Sequence, residues 1–284
     1  YNSYAVLGAG RVGTVFIRTL LATKPTASIV IFTRSASKSS TLPAEITNSS
    51  QVKIVVVDYT SVSSLSSALK EHAVEVVVDT VLMMSAAFHN VVADAAKEAG
   101  TVKLFVPSEF GFVTEDAVGP HAVKSAVHKH LKEIGLPYMV VQCCLFTELI
   151  PVVAQSQSGK FHIVGSGDKQ FSTTSLEEIA GFLVHLLTTS PASALEFISH
   201  RLQGSRITLK EAAAKFKLPV ESVDIVPVQG SSPGMNFQTQ LQMLIDSGRG
   251  STGWSYTKNE DDLDLATSGN KLWEGHAWKT VEDV

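Results

Sequence analysis

Gly8, Gly10 and Gly13 stand in the spacing G-x-G-x-x-G. They follow the apolar run Tyr4-Ala5-Val6-Leu7 and open a segment with Val12, Val15, Phe16 and Leu20 at helical spacing. A strand, a glycine turn and a helix in that order suit a dinucleotide pyrophosphate. Gly8 permits the tight turn, Gly10 lets the pyrophosphate approach the backbone, and Gly13 lets helix and strand pack closely. The helix N-terminus adds free N–H groups and the positive end of a dipole. Arg11 and Val12, in that first turn, join the glycines as candidate cofactor ligands. A glycine turn with no ligand is the plainer reading, and the strand–turn–helix context argues against it.

The second strand ends at Thr33-Arg34-Ser35. An NAD site usually carries an acid there for the ribose 2′-hydroxyl. This chain has Arg34 instead, with Lys38 close by. A guanidinium grips a 2′-phosphate that a carboxylate would repel, so NADP(H) is the expected cofactor. Lys38, a candidate cofactor ligand beside Arg34, reads on its own as an ordinary solvated loop charge. Thr33, Asp58, Tyr59, Thr80, Val81, Ser108 and Cys143 lie at or just beyond strand ends, where such folds place the cofactor. Asp58 is a candidate acceptor for the adenine amino group or, alternatively, a helix N-cap. Met83, Phe110 and Phe146 are candidate substrate-pocket walls, and Met83 and Phe110 suit the core as well.

These residues need a scaffold, and the first half supplies one. Strands are predicted at 3–7, 28–32, 52–57, 74–79, 102–106 and 138–142. Helices are predicted at 11–22, 62–71, 86–99 and 122–134. Runs such as Ile54-Val55-Val56-Val57 are continuously apolar, as expected of parallel strands covered on both faces. The alternation predicts an α/β, Rossmann-type doubly wound parallel sheet at 1–148. A smaller C-terminal substrate-binding region is predicted at 149–284, partly interleaved with it. There a short strand is expected at 161–164, and a helix near 175–188 that packs on the Rossmann domain. Thr208-x-x-Glu211 reads as a capping box, 223–226 as a strand and 235–245 as a helix.

With 44% hydrophobic and 18% charged residues, the 284-residue chain has the balance of a globular protein. A net charge of −4 gives no electrostatic footprint for nucleic acid. Cys143 and Cys144 are the only cysteines and are adjacent, so no disulfide framework is expected and a reducing, cytoplasmic compartment fits. No apolar run reaches transmembrane length. The first residue is Tyr1 rather than Met, so a short upstream leader is expected. The histidines show no metal-ligand spacing. The expected partner is a small molecule rather than nucleic acid or membrane, and the expected state is a monomer or homodimer.

The run Pro107-Ser108-Glu109-Phe110-Gly111 carries a family resemblance. With the three glycines, Arg34, Asp58, Lys124, Gly135-Leu136-Pro137-Tyr138, Phe146 and the segment Gly165 to Lys169, it resembles the NmrA-like, isoflavone-reductase-like branch of atypical short-chain dehydrogenases. That branch includes isoflavone, phenylcoumaran benzylic ether and pinoresinol-lariciresinol reductases, and also non-catalytic regulators. The likeness covers residues 3–180 well and the remainder weakly, so it is silent on substrate identity. Ordinary short-chain dehydrogenases use Tyr-x-x-x-Lys, and none of the five tyrosines here has a lysine four residues on.

The resemblance implies instead that Lys124 is the general acid/base. His121 stands where relatives carry an aromatic residue, as a further catalytic or substrate-binding candidate. Glu109 is a candidate partner for Lys124, and equally a loop or capping carboxylate. His128, four residues beyond Lys124, shares its helix face and alone reads as a polar bystander. The implied function is NADPH-dependent reduction of a small apolar, aromatic or secondary-metabolite-like substrate. An NmrA-type NAD(P)-sensing regulator and a non-redox cyclase or isomerase on the same scaffold are the alternatives.

Overall fold

The computed structural model describes residues 1–35, 42–82, 85–117, 122–228 and 236–284. Lys38, Met83 and His121 lie outside the described residues. The chain forms two units, each assembled from three segments of the sequence. The first comprises 1–109, 114–141 and 180–200, and the second 110–113, 142–179 and 201–284.

In the first unit the elements are β1 (Ser3–Leu7), α1 (Arg11–Thr23), β2 (Ser28–Thr33), α2 (Ala44–Thr47), β3 (Val52–Val56), α3 (Val62–Glu71), β4 (Val76–Asp79), α4 (Ala86–Ala99), β5 (Leu104–Val106), α5 (Ala122–Glu133) and the start of β6 (Met139–Gln142). The sheet has the order β3-β2-β1-β4-β5, with all four pairings parallel. A parallel bridge between Phe105 and Tyr138 continues it toward β6. This is a Rossmann-type doubly wound sheet, and strand order reverses beside β1, where such sheets bind ligands.

Continuous apolar strands explain its burial: Tyr4 to Leu7, Ile29 to Phe32 and Val76 to Val78 are all buried. Ser61 caps α3 by accepting from the Ser64 N–H, and α4 ends on Gly100 with φ +71°, a conformation glycine adopts without strain.

The second unit includes β7 (Leu145–Phe146), α6 (Ile150–Val153), β8 (Phe161–Ile163) and β9 (Phe171–Thr174). Helix α7 (Leu176–Thr189) opens in this unit, and its residues from 180 on belong to the first. After β10 (Ile198–Arg201) come β11 (Ser205–Ile207), α8 (Leu209–Lys215), β12 (Val220–Ser222) and α9 (Phe237–Leu244). Its core gathers Ile150, Phe161, Phe171, Leu209 and Ile245. The capping box expected at Thr208 and Glu211 is present.

The strand expected at 223–226 lies earlier, at Val220–Ser222. Parallel pairing with β8 fixes its register, Val220 opposite Phe161, and Asp224 and Ile225 turn out to solvent. Among the described residues no helix is long and apolar enough to cross a membrane.

Candidate functional site

The glycine turn lies at the carboxyl end of β1. Gly8 has φ +84°, which a side chain would strain, and an added Cβ would sit 3.0 Å from Val81 Cγ2. A Cβ at Gly13 would collide with the Gly8 carbonyl oxygen and lie 2.7 Å from the Thr80 hydroxyl. At Gly10 it would meet nothing within 4 Å. Each glycine therefore has its own physical reason: backbone geometry at Gly8, open approach at Gly10 and close packing at Gly13. Gly10 is the N-cap of α1 and brings no side chain to the first N–H groups, and no acid lies in the first turn. Arg11 is exposed and Val12 half-buried there. The Thr80 hydroxyl donates to the carbonyls of Leu7 (2.9 Å) and Gly8, tying the end of β4 to the turn.

Arg34 is exposed just past β2 and lines a cleft of about 360 Å³ with Tyr59, Thr60, Ala87, Phe88 and Val91. Buried Thr33 turns the chain there, its hydroxyl donating to the Ser35 carbonyl at 3.0 Å. The Tyr59 hydroxyl donates to the Phe32 carbonyl at 2.6 Å. Burial, reinforced by the Asp79 charge, raises its pKa, so it remains a neutral donor. Asp58 is exposed and accepts from the Thr60 N–H (2.8 Å) and hydroxyl (2.7 Å), and Thr60 pulls its pKa down. Asp58 therefore does not cap α3: that place falls to Ser61, whose oxygen receives the helix N–H.

At the carboxyl end of β5, Lys124 on the first turn of α5 donates from Nζ to the Ser108 carbonyl at 2.7 Å. Glu109 is buried, and its Oε2 accepts from the Thr114 hydroxyl at 2.7 Å. Its Oε1 lies 3.2 Å from His128 Nε2. That nitrogen is buried as well. Burial opposes the charge on Glu109, yet Lys124, His128 and Thr114 outweigh it and hold the carboxyl below its usual range.

Sequence reasoning placed Lys124, Ser108 and Glu109 together, and the structure brings them together. His128, a bystander by its sequence alone, joins them at Glu109, and its i+4 spacing from Lys124 is the signal that points there. Thr114 carried no signal.

The remaining candidates lie in the second unit. Phe110 and Phe146 are half-buried and Cys143 is buried. The Gly111 carbonyl accepts from the N–H groups of Cys143 (3.1 Å) and Cys144 (2.8 Å). The Cys144 thiol donates to the Gly250 carbonyl at 2.7 Å, and burial pushes its pKa well up, so it is a packed, protonated thiol. No metal-binding cluster occurs among the described residues.

A parallel sheet with a glycine turn, an uncapped helix start and a lysine–carboxylate cluster along one carboxyl edge defines a Rossmann-type α/β protein built like the dinucleotide-binding reductases. Residues 3–173 match the NmrA-like family, and the chain belongs to it. It is 28% identical to phenylcoumaran benzylic ether reductase 1 of Arabidopsis thaliana over 146 residues, 47% of each chain. It is 34% identical to eugenol synthase 1 of Petunia hybrida over 115 residues, 38% of this chain and 37% of that one. The chain thus spans about half the length, or less, of the curated relatives it matches. Its fold resembles that of leucoanthocyanidin reductase bound to NADPH from Vitis vinifera. The TM-score is 0.76 at 21% identity, covering 99% of this chain and 97% of that one.

Proposed function

We propose that this protein binds NADP(H) and reduces a small apolar, aromatic or secondary-metabolite-like substrate, with Lys124 as general acid/base. The observation that carries this reading is the pairing, on one sheet edge, of a glycine turn shaped for a pyrophosphate with a lysine seated on the Ser108 carbonyl. Gly8, Gly10, Gly13 and the first turn of α1 would hold the pyrophosphate, Arg34 the 2′-phosphate, and the Tyr59–Phe88 cleft the adenine. Thr80, Val81 and Ser108 would line the remainder. When bound, NADPH supplies a hydride.

Lys124 Nζ holds the proton that the reduced substrate must gain. The Ser108 carbonyl orients that ammonium, and ionised Glu109 balances its charge from a buried position. Relatives bearing the names of an ether reductase, a eugenol synthase and a leucoanthocyanidin reductase support the substrate class.

The test is NADPH oxidation against a panel of enones, aldehydes, imines and benzylic ethers. Turnover that Lys124→Ala abolishes while NADPH still binds supports the enzyme. A protein that binds NADPH and turns over nothing supports the sensing regulator. Product formed without net NADPH consumption supports a non-redox reaction.

A further inference from the structure

Directly beneath the glycine turn lies a buried ionisable pair that the proposed chemistry does not use. Asp79, the last residue of β4, is fully buried and stands opposite Leu7 in the sheet. Its Oδ2 lies 2.6 Å from Nδ1 of His89, which is itself buried on α4. Its Oδ1 accepts from the Val81 N–H at 3.0 Å. Burying such a pair is expensive, and well-packed apolar side chains usually serve stability as well or better. The position is what distinguishes it. Thr80 and Val81, which the carboxylate orders, are the residues packed on Gly8 and Gly13. On the other side the His89 ring meets Phe88 edge-on at 5.0 Å, and Phe88 meets Tyr59 at 5.8 Å, both in the wall of the Arg34 cleft.

We infer that Asp79 and His89 are positioning residues for the dinucleotide: the pair locks the Thr80–Val81 segment under the glycine turn to the α4 wall of the Arg34 cleft. The two subsites are thereby held at the spacing one ligand needs to occupy both. This rests on the NADP(H) reading above. Preorganisation of this kind removes ordering cost from binding, so its loss weakens a ligand that spans both subsites. A ligand confined to one subsite is spared.

The test compares NADPH with 2′-AMP, which carries the adenine and the 2′-phosphate but neither the pyrophosphate nor the nicotinamide half. The double variant Asp79→Leu/His89→Leu replaces the pair with apolar groups and is expected to melt at or above the temperature of the unmutated protein. Its NADPH affinity should fall at least about tenfold, with 2′-AMP affinity held within about threefold. Asp79→Asn keeps an acceptor for Val81 and a polar partner for His89, and should largely restore NADPH binding.

A folded double variant with unchanged NADPH affinity, or one losing both ligands equally, overturns the positioning role. If the double variant does not fold, His89→Leu alone decides by the same comparison, since Asp79 then keeps Val81 but loses α4. Absence of NADPH binding by the unmutated protein overturns the cofactor reading, and the positioning role with it. That failure appears before any variant is made.

Discussion

Arg34 is exposed at the end of β2, free to wrap a phosphate, and no carboxylate stands at that strand end to favour a ribose 2′-hydroxyl. Arg34→Ala should weaken NADPH by about 1.5–3 kcal/mol, the worth of a charged hydrogen bond, and leave NADH nearly unchanged. Calorimetric titration checks this, and equal affinity of the unmutated protein for the two cofactors would defeat it. At the other end of the site, Lys124→Ala should keep NADPH affinity and lose about 10²–10⁴-fold in turnover. Lys124→Arg should fail too, because a guanidinium cannot release a proton near neutral pH. Full activity in Lys124→Ala would move the proton to Glu109 or His121.

Candidate residues whose placement follows from local geometry, such as the glycines and the exposed Arg34 past β2, were legible in the sequence. Lys124 was legible only through family register. Thr114, Asp79 and His89 were not: each meets its partner only through tertiary packing.

Elements were legible where their signal is local. Helix α3 starts where Ser61 offers an oxygen to the Ser64 N–H, and α8 starts at its capping box. The short strands of the second unit depend on which neighbour they pair with, which is why β12 lies three residues before its expected start. The glycine turn allows a test at this scale, because its glycines face different surroundings. Gly13→Ala drives a methyl into the Gly8 carbonyl and the Thr80 hydroxyl, so α1 must shift away from β1. Overpacking of this sort costs about 1–3 kcal/mol, which a thermal melt will show. Gly10→Val points into open space and should melt like the unmutated protein while losing NADPH, because the branched side chain takes the pyrophosphate's place. Retained NADPH affinity in a folded Gly10→Val protein would make the turn purely structural.

For the molecule as a whole, stability should depend on pH in two separable windows. Glu75, Glu109 and Asp246 have carboxyls held below their ordinary range; burial opposes each, and hydrogen bonds or neighbouring cations prevail. Depressed acids contribute stability above their unfolded pKa values and lose it as pH falls through the folded ones, so their window lies below about pH 4.5. His200 titrates higher. It is buried against Phe182, its Nε2 has no hydrogen-bond partner among the described residues, and burial lowers its pKa from 6.5 to about 4. The unfolded chain takes up that proton below pH 6.5, whereas the folded protein does not until pH nears 4. Stability therefore declines as pH drops across that interval, by about 3 kcal/mol at full depth. His200→Phe removes the titrating group and keeps an aromatic ring against Phe182. Its melting temperature should be flat from pH 6.5 to about 4.5, where the unmutated protein's falls, and the two should decline together at lower pH as the carboxylates protonate. Parallel melting curves for the two proteins across pH 4.5–6.5 would show that His200 already carries its proton in the fold.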